Sequence, residues 1–312
     1  MANKTSSVDG GAPVSSSLSS RIVTEINIYP IKSCKAVCVE SITVDKLGLT
    51  DDRRLMLIDS NNRFLHQRKF PKLATVIAVI KQNNTLHLSA PNKAPAVVEI
   101  CRVSRADRPV RNVGVWQATL PAIDQGDEAA AWFQSIFDSS QSFARLVAMP
   151  ELDSEECVPR PIPFPASCPK IPDRQVGFSD SGPILVLSEE SLADLNARYE
   201  AGWQQSVPMT RFRPNIVVKG GGVEAFDEDR WLVVQIGSVP FLAYQKATRC
   251  KMTGVDQATG EVDKVGPLEA LRTYRATRGP AHAEFGQYLV PLKVGGAINV
   301  GDAVKVLGYK KG

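Results

Sequence analysis

From Arg21 onward, apolar and polar positions alternate in short runs. In RIVTEINIYPIK (21–32) the row Ile22, Thr24, Ile26, Ile28 interleaves with Val23, Glu25, Asn27, Tyr29, which predicts a strand ended by Pro30. AVCVESITV (36–44) predicts a second strand. RRLMLIDSNNRFLHQRK (53–69) reads as strand, Asp-Ser-Asn-Asn turn and strand, and TVIAVIKQNNTLHLSA (75–90) repeats the hairpin pattern. Up to Val103 the chain is mostly short strands between polar turns, the mark of a barrel or sandwich.

One helix is predicted at 126–138. Asp127 and Glu128 suit its positive N-terminus, and Trp132, Phe133, Ile136 and Phe137 make an apolar stripe that reads as core. CVPRPIPFPASCPKIPD (157–173) carries six prolines, so an extended linker and a domain boundary are expected there. Beyond it come a buried strand at Ile184–Leu187, a helix capped by Ser188, and further strands in FRPNIVVKG, RWLVVQIGSVPFLAYQKATRC and GAINVGDAVKVLG. The Gly237-Ser238 pair predicts a hairpin whose second strand delivers Cys250 at its end.

Composition narrows the function classes. With 37 Lys and Arg against 33 Asp and Glu, interspersed along the chain, no basic face suited to nucleic acid is visible. Six cysteines spread over 312 residues without a signal peptide favour free thiols in a reducing compartment, and the absence of Cys-x-x-Cys argues against zinc. Residues 1–20 are serine-rich, contain no run of membrane-spanning length and read as a disordered tail. Lys4 is the only cation there, unlike an arginine-rich transit peptide. The cytosol is the expected compartment, with the mitochondrion as the alternative.

Cys250 stands between Arg249 and Lys251. Flanking cations stabilise a thiolate, which is both a nucleophile and a soft-metal ligand. A structural cysteine, a nucleophile lacking a nearby histidine base, and a metal-bound thiolate are the three readings left open by the residues alone. Other short clusters look like anion cradles: Lys32 and Ser33 in YPIKSCK, Arg53 in LTDDRRLML, Arg213 and Asn215 in TRFRPNIVV. KGGGVEAF lacks the glycine spacing of a dinucleotide site.

Taken together in order, YPIKSCK, GL before DDRR, FSDSGP, LSEESLADLN, FRPNIVV, RC before T-x-VD and TG, and FGQY resemble the MOSC-domain proteins of the amidoxime-reducing-component family, over nearly all of 22–308. The resemblance implies a predominantly β, α+β protein: an N-terminal β-rich domain (21–157) joined to a MOSC β-barrel (158–309), with molybdenum-molybdopterin between them. It implies Cys250 as the molybdenum ligand, and Lys32, Ser33, Arg53, Arg213 and Asn215 as holders of pterin and phosphate. Asp180, Ser181 and Arg249 join them. The activity it implies is reduction of small N-oxygenated substrates such as amidoximes and hydroxylamines, and of nitrite, with electrons from cytochrome b5 and its NADH-dependent reductase, or from nitrate reductase. A cofactor carrier or sulfuration protein is the alternative. Two departures stand out: Gln257 follows Thr253-Gly254-Val255-Asp256 where the family often has proline, so a more flexible loop is expected, and the membrane anchor of the animal members is not seen.

Overall fold

The structure, a computed structural model, describes residues 20–137, 144–166, 168, 171–203, 206–221, 224–279 and 281–310. All but the last residue of the serine-rich tail, and Asp138 of the expected helix, lie outside the described residues. Strands dominate, and only three α-helices accompany them among the described residues: α1 (Gly126–Gln134), α2 (Glu189–Trp203) and α3 (Pro267–Tyr274). The architecture is therefore α+β with a β majority, as the hairpin pattern predicts.

The largest sheet has eight strands, in the order Val37–Cys38, Ile22–Ile28, Ile216–Lys219, Ile184–Ser188, Glu284–Pro291, Val239–Thr248, Trp231–Ile236 and Val304–Tyr309. Its first long strand thus comes from the start of the chain and pairs antiparallel with Ile216–Lys219. Ile184–Ser188 and Ile216–Lys219 are parallel, and α2 supplies the crossover that a parallel pair requires. Ser188 caps α2 as expected, its Oγ accepting the Ser191 N–H at 3.1 Å. The Gly237-Ser238 turn joins its two strands as the sequence predicts.

Three local expectations change. The alternation in Ile22–Ile28 is broken by a bulge between Val23 and Glu25, so Val23 is buried while Ile22 is exposed. The stretch 36–44 is two strands, one on Ile22–Ile28 and one (Ser41–Asp45) on Ala297–Asn299, because separate partners claim its two ends. After the Asp59 turn no second strand forms: Leu55–Ile58 pairs instead with Arg145–Ala148, and only an Ile58–Phe64 bridge remains of the hairpin. This frees Phe64 and His66 for the cavity described below.

A second core packs Leu55, Leu57, Leu86, Val98 and Leu146 against Phe133 of α1 and Ile136 and Phe137 just beyond it: the expected apolar residues are core, but the helix ends at Gln134, with Ser135 as its C-cap, short of the predicted 138. The proline-rich segment is less free than a linker: Arg160–Pro161 pairs with Gln175–Val176, Ile162 is buried, and Phe164 lies edge-on to Tyr244 at 5.1 Å.

Asp124 fixes the start of α1. Its fully buried carboxylate accepts hydrogen bonds from Arg145, Arg111 and the Gly126 N–H. Burial works against its charge, but these donors outweigh burial and hold the group below the usual carboxylate range. Its contribution to stability is therefore complete above the ordinary carboxylate pKa and drains away as pH falls through the depressed folded value. Asp124→Ala is expected to cost about 3–5 kcal/mol, the penalty for stranding buried cations. Urea titration at neutral pH checks the loss, and the variant's stability should depend less on pH on the acid side than the parent's.

Candidate functional site

Segments that enter or leave strands of the eight-stranded sheet carry most of the singled-out residues. Lys32 and Ser33 follow Ile22–Ile28, Arg213 and Asn215 precede Ile216–Lys219, and Arg249 and Cys250 follow Val239–Thr248. Strand pairing sets Lys32 and Ser33 beside Arg213 and Asn215, whereas Arg249 and Cys250 leave their strand at its opposite end by register and are tied to the site through Arg249, which donates to Phe212 O, more than 200 residues after Lys32 in the chain. Ser33 (φ 71°), Arg53 (φ 50°) and Arg213 (φ 55°) all adopt the left-handed backbone, which costs a non-glycine residue about 1–3 kcal/mol and is tolerated where surrounding structure enforces it.

All nine residues named from the sequence line one cavity of about 250 Å³: Lys32, Ser33, Arg53, Asp180, Ser181, Arg213, Asn215, Arg249 and Cys250. Lys251 does not line it, so only one of the two cations flanking the thiol faces the cavity. Cys250 is exposed and free, in extended conformation at the entry to a short 3-10 turn, Lys251–Gly254. Cys34, which follows Ser33 in the chain, does not line the cavity: it is packed into the second core, and burial pushes its thiol up to about 12.

The cations are held by protein contacts that leave them facing the cavity. Lys32 is buried and donates to Phe178 O at 2.8 Å and to the Asp180 carboxylate. Burial pulls its pKa below the ordinary lysine value, and Asp180 restores part of it. Burial also works against the Asp180 charge, but Lys32, the Trp116 indole N–H at 3.0 Å and Arg53 pull this carboxyl down to about 2, so it is ionised at neutral pH. The Asp180 side chain remains 43% accessible, so solvent screens the pair and the shift describes charge state rather than stability.

Arg53 donates to Asp52 at 2.6 Å and to Asn215 Oδ1 at 2.9 Å. The guanidinium carbons of Arg53 and Arg213 lie 4.3 and 4.2 Å from the centre of one ring, that of Tyr29. Burial pulls Arg213 down to about 10, which leaves it a cation under all ordinary conditions. Arg249 donates to Phe212 O at 2.5 Å, while its buried Nε has no partner among the described residues.

Residues 20–140 match the MOSC N-terminal beta barrel domain and residues 173–305 match the MOSC domain. Mitochondrial amidoxime-reducing component 1 of Mus musculus is 36% identical over 296 residues, covering 92% of this chain and 82% of that protein. The human protein of the same name is 34% identical over 307 residues, covering 92% and 83%. Mitochondrial amidoxime reducing component 2 of Bos taurus is 35% identical, covering 90% and 82%.

The chain belongs to the amidoxime-reducing component family.

The residues of this family member suit an anionic cofactor that brings most of a metal's ligands with it. Among the described residues no group of three or more His, Cys, Asp and Glu could hold a metal, so a metal at Cys250 needs ligands from elsewhere. Lys32, Arg53, Arg68, Arg213 and Arg249 line the cavity against one carboxylate, Asp180. The unpartnered buried atoms Arg249 Nε and His66 Nδ1 belong to two of its lining residues.

Sequence reasoning missed Phe64, His66, Trp116, Phe212, Met252 and Tyr288, which also line the cavity. Tyr288 lies in FGQY, one of the matched segments, and was legible as a candidate. The alternation places Phe64 and His66 on a strand that does not form, and Trp116 arrives on a hairpin tip with φ 56°. Gly182 in FSDSGP has a reason of its own: a Cβ there would lie 2.5 Å from Tyr244 Oη and 2.7 Å from the Tyr288 ring.

Asn215 acts chiefly by holding its neighbours. Its Oδ1 accepts from Arg53 and from the Leu185 N–H at 3.1 Å, and its Nδ2 donates to Asn27 O at 3.0 Å. Asn215→Ala strands a buried N–H and a buried carbonyl, each at about 1–3 kcal/mol. The expected loss is about 2–6 kcal/mol, read as a lower urea midpoint; an unchanged midpoint would show that the Asn215 tie is dispensable.

Proposed function

We propose that this protein is a molybdenum-cofactor-dependent reductase of N-hydroxylated compounds. The observation that carries the reading is one exposed thiol, Cys250, in a cavity lined by cations and devoid of other grouped metal ligands among the described residues. Cys250 Sγ is the protein ligand to molybdenum. Lys32, Arg53, Arg213 and Arg249 hold the pterin and its phosphate through charge-assisted hydrogen bonds, with Ser33 and Ser181 as further polar neighbours. Asn215 aims Arg53, and Asp180 keeps the buried Lys32 in place.

Bound molybdenum supplies two-electron chemistry on an N–O bond. In the overall reaction an amidoxime takes up two electrons and two protons, its N–O bond breaks, and amidine and water are released. Amidoximes, hydroxylamines and nitrite are the substrate class. Electrons come from cytochrome b5 and its NADH-dependent reductase, with nitrate reductase as the alternative donor. The division into an N-terminal β-rich domain (21–157) and a MOSC domain (158–309) belongs to the same proposal, and in three dimensions Ile22–Ile28 reaches across it. No described helix is long and apolar enough to cross a membrane. We place the protein in the cytosol, with the mitochondrion named in its relatives as the alternative that cell fractionation distinguishes.

Metal and pterin analysis combined with electron-driven turnover of benzamidoxime tests the reading. Molybdenum near one per chain with turnover supports it; molybdenum without turnover indicates a cofactor carrier, and neither removes the reading altogether. Cys250→Ala should fold, retain part of its cofactor through Lys32, Arg53 and Arg213, and show no reduction. Cys101→Ala, whose buried thiol only donates to Val103 O, should match the parent. An active Cys250→Ala protein with full molybdenum would exclude Cys250 as ligand.

Donor docking gives a separate outcome. Weak redox encounters use small interfaces steered by charge, and this chain carries a formal +4. With an acidic cytochrome limiting, turnover should fall steadily as salt rises from about 20 to 200 mM, over which the Debye length shrinks from about 20 to 7 Å. A salt-independent rate under those conditions excludes electrostatic docking.

A further inference from the structure

Gln257, the point at which this chain departs from the family pattern, is not part of a loosened loop. It is buried, and so is Gln67, 190 residues earlier. Their amides bond reciprocally: Gln67 Nε2 donates to Gln257 Oε1 at 3.0 Å, and Gln257 Nε2 donates to Gln67 Oε1 at 2.9 Å. The second proton of each amide is also used, from Gln67 to Ser33 O at 2.8 Å and from Gln257 to Val255 O at 3.0 Å. Gln257 Oε1 accepts a further bond, from Arg213 Nη1 at 2.9 Å.

This network has one consistent orientation. Arg213 can only donate and the carbonyls of Ser33 and Val255 can only accept, so turning either amide over would set donor against donor and acceptor against acceptor. The pair joins the stretch matching the N-terminal barrel to the stretch matching the MOSC domain, and it grips two cavity-lining residues, Ser33 by its carbonyl and Arg213 by one guanidinium nitrogen. Among the described residues Arg213 makes no other side-chain hydrogen bond to a side chain or carbonyl. With Tyr29 stacked on the same group, one anchored nitrogen sets the plane of the guanidinium and leaves its other N–H groups for the cavity.

We propose that Gln67 and Gln257 form a positioning clasp that orients Arg213 toward the anionic group of the cofactor. It rests on the reading of Arg213 as a cofactor-binding residue. Buried amides of this kind are costly unless every donor and acceptor is satisfied, and here each amide atom has a partner. Without the clasp Arg213 keeps its charge but loses its fixed direction, so the effect falls on how long the cofactor stays bound.

The test measures the rate of pterin release from protein purified with its cofactor, for the parent, Gln257→Leu, Gln67→Leu, Arg213→Ala and the Gln257→Leu/Arg213→Ala double variant. Gln257→Asn, one methylene shorter and still polar, serves if Gln257→Leu does not fold, and thermal midpoints are recorded in parallel. Release from Gln257→Leu should be faster by about tenfold, the equivalent of one lost hydrogen bond. Arg213→Ala should be at least as fast, and the double variant no faster than Arg213→Ala alone, because the clasp acts through Arg213. Release at the parent rate from Gln257→Leu, or a Gln257 factor that multiplies that of Arg213→Ala, overturns the clasp. A parent without pterin, or Arg213→Ala releasing at the parent rate, overturns the cofactor-binding reading of Arg213 itself, which the parent and Arg213→Ala reveal without the glutamine variants.

Discussion

The antiparallel pairing of Ile22–Ile28 with Ile216–Lys219 is the constraint on which the site depends. It sets the end of the first strand, with Lys32 and Ser33 just beyond it, against the approach to a strand some 190 residues later, with Arg213 and Asn215 just before it. Asn215 then seals the junction from its side chain, reaching Asn27 across that pair, Leu185 across the next, and Arg53 in the cavity wall. A single amide thereby couples sheet register to the direction of a cavity cation. A slip of one residue would exchange the faces of the strand and break all three bonds.

Burying several cations around one cavity carries a desolvation cost, and the fold offsets only part of it. Asp52 and Asp180 neutralise Arg53 and Lys32, and the Tyr29 ring faces two guanidiniums. Arg213 receives only neutral partners, and Arg249 keeps an unpartnered Nε. Such under-compensated positive charge, together with three left-handed residues held in place around it, is what a site built for an anion requires.

The loop after Cys250 shows why substitution patterns mislead without packing. Replacing a family proline by Gln257 in a sequence containing Gly254 argues for flexibility, because proline restricts the backbone and glycine frees it. In the fold, Gly254 and Gln257 are both buried, and the glutamine side chain supplies bonds that proline could not. Local conformational freedom and tertiary anchoring are separate terms, and here the second decides.

The sequence by itself determined the β-dominated class, the hairpin that presents Cys250, the apolar core residues on and just after α1, and the motifs whose residues meet in the cavity. Each is written in local periodicity, turn chemistry or short ordered motifs, which do not depend on what the chain later touches. Only the tertiary structure decided that Leu55–Ile58 pairs with Arg145–Ala148 instead of its sequence neighbour, which turns Phe64 and His66 into cavity walls. It also decided that Lys251 faces away while Arg249 faces in, that Trp116 reaches Asp180 from a distant hairpin, and that Gln67 meets Gln257. Those outcomes depend on which long-range partner removes the most apolar surface and satisfies the most buried polar groups, a competition settled only when all strands are in place.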